Sequence, residues 1–315
     1  MILRLIAQRL SLAVGTLLVV SALVFFFTSV LPGDIAERVL GRESTQQQRQ
    51  IFRKHLHLDR PVWERYGVWI GDVGRGDLGR SLVNDETVTS TIGTSAKNTL
   101  FLSVFAFLLY IPVTLIMATV AALFRGKLPD SLISVVTLVG LSVPEFVLGT
   151  LLIFGFAVKL SVAPALSIVS PGDGLFTRLH ATVLPAVTLM VAMAVYAIRM
   201  LRDNLIDVLD SEYVRMATLK GVPRWRVVMR HALPNSLGPA LNVTALNLTY
   251  LIGGVVVVET VFSYPGLGKL LIDSISVRDV PVVEVTALLA SGVYIVANLV
   301  ADVLAMVLNP RLRTS

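Results

Sequence analysis

Six α-helices crossing a bilayer, with no β-sheet, are the architecture to expect of this chain, for three reasons. Of its 315 residues, 55% are hydrophobic and only 15% are charged, whereas a soluble domain carries about 25% charged residues. The mean hydropathy of +0.77 argues against disorder and against a soluble enzyme. The apolar content is aliphatic, with aromatics at 7%, and gathers into long runs that suit helices better than outer-membrane strands.

A helix needs roughly 20 apolar residues to cross the hydrocarbon core. Residues 1–9 are a short N-terminal segment with Arg4 and Arg9, and the first span is 10–30. It reads as a retained helix rather than a signal peptide. Its apolar run exceeds the roughly 7–15 residues of a signal core and ends without Ala-x-Ala. The second span is 99–124, with Pro112 inside; the third is 131–158, with Glu145 just after Pro144. The fourth is 181–202, with Pro185 near its start, the fifth 237–262, with Glu259 near its end, and the sixth 283–308, with Asp302.

Basic residues fix the expected orientation. Arg4 and Arg9, Arg125 and Lys127, the Arg/Lys-rich segment 203–236, and Arg311 and Arg313 in the tail 309–315 all fall on one side of six spans. The positive-inside rule makes that side cytoplasmic, so both termini are expected there. Segments 32–98 and 263–280 are then external. Lys+Arg is 27 against Asp+Glu 21, and this excess reads as attraction to anionic membrane lipid rather than to nucleic acid.

The external segment 32–98 has a helical face made of Val62, Tyr66, Trp69 and Ile70, followed by the turn-rich Gly71, Gly74, Gly76 and Gly79. That face is expected to pack on the bundle or lie at the interface. With no cysteine, disulfides and thiolate metal sites are excluded. His55 and His57 lack a third ligand, so no metal site is expected. Nothing in the chain forms a catalytic constellation.

The segment 203–236 is too long for a simple connector. Ser211 suits an N-cap, Glu212 the positive end of a helix, Gly221 the C′ position and Pro223 a stop, which predicts a short helix over 212–220. A second short helix is expected over 223–231, with Pro223 at its first position. Spacing alone leaves two roles open for the first helix: docking into a partner's groove, or resting on the inner leaflet.

The residues Glu212-Tyr213-Val214-Arg215-Met216-Ala217-Thr218-Leu219-Lys220-Gly221, with Arg230-His231-Ala232-Leu233-Pro234-Asn235 beyond them, resemble the EAA coupling loop of ABC importer permeases. Other stretches resemble the first permease subunit of the dipeptide, oligopeptide and nickel type. They are Leu31-Pro32-Gly33-Asp34, Leu58-Asp59-Arg60-Pro61, Gly76-Asp77-Leu78-Gly79-Arg80-Ser81 and Ser142-Val143-Pro144-Glu145-Phe146. Two more follow, Glu259-Thr260-Val261-Phe262-Ser263-Tyr264-Pro265-Gly266-Leu267-Gly268 and Arg278-Asp279-Val280-Pro281-Val282-Val283. The likeness covers essentially the whole chain in order. Where that family usually reads Ala-Arg-Ala-Lys-Gly, this chain has Ala217-Thr218-Leu219-Lys220-Gly221.

The resemblance implies a type I ABC importer-like fold and a transport subunit that is not an enzyme. Its implied location is the bacterial inner membrane. Its implied partners are a homologous second permease, two cytoplasmic ATPases and an extracytoplasmic solute-binding protein. ATP and Mg would sit on the ATPases, with no cofactor in this chain. Glu212, Tyr213, Arg215, Ala217, Lys220, Gly221, Arg224 and Pro234 would serve ATPase coupling. Short peptides rank first as substrate, ahead of nickel chelates, glutathione, oligosaccharides and opine-like conjugates. The residues agree in one respect: Gly266-Leu267-Gly268-Lys269 lacks the spacing and the following hydroxyl of a phosphate loop, so ATP must be handled by another chain.

Glu145, Glu259 and Asp302 are the ionisable groups within or at the ends of spans, and such groups carry a functional expectation. For Glu145 and Glu259 structural pairing is favoured over substrate contact. Glu259, Tyr264, Pro265, Gly266, Leu267 and Gly268 are expected either to cap the bundle with a tight turn or to gate the external mouth facing the binding protein. A stand-alone ion-coupled transporter is the competing class, disfavoured by the absence of duplicated halves.

Overall fold

The computed structural model describes residues 2–30, 44–55, 60–170 and 172–308. Residues 31–34, 57–59 and 309–311, part of the motifs above, lie outside the described residues, as do the side chains of Arg4, Arg9, His55 and Asp302. The helices run α1 (Ile2–Val30), α2 (Gln46–His55), α3 (Val62–Gly74), α4 (Val88–Leu123), α5 (Leu128–Ser142) and α6 (Glu145–Leu152, widening into π-helical turns at Ile153–Lys159). They continue with α7 (Leu175–Leu209), α8 (Glu212–Leu219), α9 (Leu233–Val261), α10 (Leu267–Val277) and α11 (Val280–Leu308). The fold is all-α, and its extended pairing among the described residues is an isolated bridge between Arg80 and Thr87.

By length and composition, residues 11–30 of α1, all of α4 and α7, and residues 280–300 of α11 can each cross a membrane. Up to two more spans exist as bent pairs. α5 meets α6 and its extension at 113°, and the helix over 224–248 meets 253–261 at 60°. The first bend has a local cause. Pro144 has no N–H to give to the carbonyl one turn back, and its ring keeps the preceding residue out of the helical region. Val143 is accordingly extended (φ −90°, ψ 122°), and Pro144 takes the N-cap of α6 at φ −58°, ψ 144°. α5 has 15 residues, about 22 Å of helix, which falls short of the roughly 30 Å hydrocarbon core.

α7 is the opposite case. Its 35 residues make about 52 Å, well beyond that thickness, and its last turn leads directly into the loop that follows. α4 likewise begins at Val88, before the apolar run that starts at 99.

The chain divides into two compact units, residues 1–98 with 266–295, and residues 99–265 with 296–315. In the first, the aromatic face of α3 lies on α1. Phe25 meets Tyr66 at 5.6 Å and Trp69 at 5.5 Å between ring centroids, Arg65 lies over the Phe25 ring, and the Ser21 and Tyr66 hydroxyls are 2.8 Å apart. Two of the sequence motifs meet there: Asp279 accepts hydrogen bonds from the Ser81 hydroxyl and from the Leu82 amide at 3.0 Å. Thr28 donates to the buried Glu284 at 2.8 Å.

In the second unit α7 is the central post. Leu189, Met193, Ala197 and Leu201 are buried against Leu102, Ala106 and Tyr110 of α4 and Val243, Leu251, Val255 and Val258 of α9. Polar groups fix the register between helices: Tyr110 and Thr244 hydroxyls are 2.9 Å apart, and Asn247 donates to the Met193 carbonyl at 3.1 Å. Glycines let backbones approach. A Cβ at Gly140 would sit 2.6 Å from Val195 Cγ1, and one at Gly149 would sit 3.1 Å from the Phe262 ring.

Gly140→Leu is therefore expected to lower stability by about 1–3 kcal/mol through overpacking. The check is the thermal midpoint of the detergent-purified protein. Val195→Ala in the same chain is expected to recover most of the loss, and an unchanged midpoint in Gly140→Leu would contradict the close approach.

Candidate functional site

The loop leaving α7 is built from its caps inward. Ser211 is extended (φ −74°, ψ 150°) at the N-cap of α8, but its hydroxyl turns back to the Val208 carbonyl at 2.5 Å and bonds no amide of α8. The other end closes as a Schellman motif. The Gly221 amide donates to Thr218 O at 3.0 Å and the Val222 amide to Ala217 O at 3.2 Å, with Gly221 at φ +77°. A β-branched residue at that φ is strained, which is why glycine stands there.

α8 is held down by two residues. Val214 is buried, and the Tyr213 hydroxyl donates to the His231 carbonyl at 3.0 Å, which also takes the Asn235 side-chain amide at 2.6 Å. The separate helix expected over 223–231 is not separate. Pro223 is the extended N-cap of a single turn, Arg224–Arg226, which widens into π-helical turns at Val227–Ala232 and runs straight into α9. Pro234 sits in the first turn of α9, where the missing N–H leaves the carbonyl a turn back unserved, and the widened turns absorb the mismatch. Val227, Val228 and Ala232 are buried, and Ala232 packs with Ala122, Leu205 and Ile206 under the loop.

The outer face is different. Leu219 is 73% exposed, Trp225 61%, Met229 54% and Met216 52%. Glu212, Arg215, Lys220 and Arg224 flank them, also exposed, while Ala217 is half-buried. Four large apolar side chains between Met216 and Met229 are thus more than half exposed.

Beneath the loop lies an ion pair that spacing did not single out. Asp130, in the first turn of α5, takes a forked contact from Arg202 of α7, Nε to Oδ1 at 2.6 Å and Nη2 to Oδ2 at 2.7 Å. The Gly126 amide adds 2.9 Å to Oδ2, and Arg202 Nη1 reaches Asp203 at 2.7 Å. The Asp130 side chain is 6% exposed and that of Arg202 22%. In sequence Arg202 is one more basic residue at a span's end. The one hint is an acid lodged between Lys127 and the third apolar run. Nearby, Arg125 and Asp210 form an exposed pair at 2.9 Å.

The intramembrane and external residues fall at separate places. Glu145, the first residue of α6, accepts a hydrogen bond from the Tyr250 hydroxyl of α9 at 2.5 Å. Glu259 is fully buried and accepts from the Thr99 hydroxyl at 2.6 Å. Tyr264 is also fully buried, its amide bonded to the Glu259 carbonyl at 2.8 Å. Burial pushes its phenol above the ordinary value, with the Arg178 guanidinium opposing and Glu259 adding to the rise. Arg178 in turn lies 4.8 Å over the Phe101 ring. The Tyr264 side chain thus caps the second unit from within. Gly266 and Gly268 are buried and Leu267 packs against Val88, Ile92 and Val282 in the first unit, while Pro265 is half-buried. Among the described residues no group of His, Asp and Glu is placed to hold a metal ion.

Together these features describe a helical, apolar chain with a built loop between α7 and α9, and comparison with known proteins gives the class. The chain belongs to the family of binding-protein-dependent transport system inner membrane components, whose model matches residues 110–314; the model of the family's N-terminal part matches residues 2–117. It is a permease subunit of an ABC importer of the dipeptide, oligopeptide and nickel type, a multi-pass protein of the bacterial inner membrane, and a transport component rather than an enzyme.

Among its relatives is the glutathione transport system permease protein GsiC of Escherichia coli O6:H1, 37% identical over 98% of both chains. The proteins of the same name from Escherichia coli K12 and Shigella flexneri serotype 5b are each 36% identical over 98% of both chains.

Removing one partner of the buried pair leaves the other charge uncompensated. Asp130→Ala is expected to cost about 3–5 kcal/mol. Adding Arg202→Ala is expected to cost much less than the sum of the two single losses. Additive losses in detergent unfolding would contradict the coupling.

Proposed function

We propose that this chain is one of two homologous permease subunits of an importer for small peptides, with glutathione (itself a tripeptide) and dipeptides as the first substrates to test. Both termini and the loop 203–236 face the cytoplasm, as the distribution of Arg and Lys supports. Two ATPases take up ATP and Mg, α8 seats in a cleft on one of them, and an extracytoplasmic binding protein delivers the solute. This chain itself holds no cofactor. ATP closes the ATPase pair, α8 is carried with it, and the path changes the side to which it opens. Coupling of this kind requires that ATP favour one state of the path through differential contacts.

The observation that carries this reading is the construction of α8. A helix closed by a Schellman motif and anchored through Val214 and Tyr213 presents Met216, Leu219, Trp225 and Met229 outward. The substrate class is supported by the names of the relatives, which are glutathione permeases.

Gly221→Val forces a branched side chain to φ +77°, a strain of about 1–3 kcal/mol that opens the C-terminal end of α8 without touching the spans. Affinity capture of the tagged chain from native membranes is expected to recover two ATPases and a second permease with the unaltered chain. The variant is expected to keep the second permease while ATPase recovery and glutathione uptake fall about tenfold or more. ATPases retained in full by the variant would mean that α8 rests on the inner leaflet and that docking lies elsewhere.

A further inference from the structure

The Glu145–Tyr250 pair has a setting that the import machinery described so far does not use. Glu145 opens α6 directly after the 113° break, and Tyr250 lies where α9 turns by 60° between Leu248 and Gly253. Two bent spans therefore meet at one hydrogen bond. Backbone that leaves the helix at membrane depth persists only where protein buries it or where it lines a water-filled path. Within this chain neither side chain is fully covered: Tyr250 is 41% exposed and Glu145 is half-exposed.

The carboxylate is also incompletely served. Tyr250 donates to Oε2. Among the described residues, Oε1 has no hydrogen-bond partner and no cation lies within ion-pair distance of Glu145. Gly254 lets the α9 backbone pack closely on the pair, since a Cβ there would come within 3.0 Å of Oε2 and 3.2 Å of the Tyr250 ring. A charge in a membrane span is normally placed against a partner or in a polar path. Among the described residues this one is oriented by a phenol and left with one oxygen unbonded.

We propose that Glu145, held by Tyr250 at the junction of the two bent spans, is a station on the translocation path that receives the ammonium group of the substrate. The assignment rests on the peptide-import reading above and deepens it. An ammonium group supplies three donors and a compact charge, which matches a half-exposed carboxylate with one oxygen unbonded among the described residues. Carboxylate-only solutes would be repelled at the same point. The hydrogen bond from Tyr250 holds the carboxylate rotamer, so Tyr250 is a positioning residue.

The test uses the whole complex, with its second permease, ATPases and binding protein, in proteoliposomes. Its probes are glutathione and a glutathione analogue lacking the amino group. Glu145→Gln is expected to cut glutathione uptake about tenfold while analogue uptake and binding-protein-stimulated ATP hydrolysis stay within about twofold. Glu145→Asp is expected to retain most of the uptake, and Tyr250→Phe to fall between the two. Glutathione uptake unchanged in Glu145→Gln overturns the assignment, as do equal losses for both probes. Loss of the second permease from Glu145→Gln complexes also overturns it, by making Glu145 the partner of a cation on that subunit. If the unaltered complex moves neither probe, the peptide-import reading itself fails, and the station fails with it.

Discussion

Hydrocarbon offers no partner to a stray backbone N–H or C=O, and the break at Val143–Pro144 is where this chain meets that constraint most openly. A proline that cannot donate and a residue before it that cannot stay helical split one apolar run into two legs of 15 residues or fewer. Neither leg reaches across the bilayer alone. The break must then be covered by protein or lined by water, and Glu145 and Tyr250, with Gly254 packed closely against them, are what the second unit places there. The rest of the unit is arranged around keeping that geometry: Gly140 against Val195 brings α5 close to α7, and Gly149 against Phe262 brings α6 close to α9.

The same leg that ends at the break begins at the ion pair. Asp130 at the start of α5 is forked onto Arg202 of α7, and α7 goes on to carry α8. A displacement of α8 is thus one rigid helix and one buried ion pair away from the broken span. Tyr213, Val214 and the π-helical turns at Val227–Ala232 tie the other side of the loop to α9, which carries Tyr250. Both helices that meet at Glu145 are therefore connected to the loop, each by a different kind of contact. That is a physical basis for coupling between an ATP-driven movement and the path, since packed elements shift as units rather than deform continuously.

Much of this was legible in the residues. Composition and apolar runs give an all-α membrane protein because hydrocarbon demands long helices whatever their tertiary neighbours. The Ser211-to-Pro223 punctuation gives α8, since a glycine at positive φ is a local requirement. What could not be read were the long-range choices. Pro144 announces a break, but a 113° turn depends on what α6 packs against. The Asp130–Arg202 pair joins positions 72 apart, and either residue alone resembles ordinary flanking charge. Tyr264 sits in a turn sequence that left capping and gating both open, and its ring is fully buried, as is Glu259, because a tight turn leaves side-chain direction undetermined. Ser211 occupies the N-cap position but spends its hydroxyl on Val208, a competition that sequence cannot arbitrate.

The central claim is that the broken span lines an aqueous path rather than lipid. The absence of cysteine makes it directly measurable. Single cysteines at Ser142 and Val143, with the exposed Leu132 of α5 as the control, can be probed with a small water-soluble thiol reagent in the assembled complex, with and without ATP. Labelling at 142 and 143 that changes with ATP, with Leu132→Cys unreactive throughout, is the predicted result. Cysteines at 142 and 143 as unreactive as the control in both states would contradict the account.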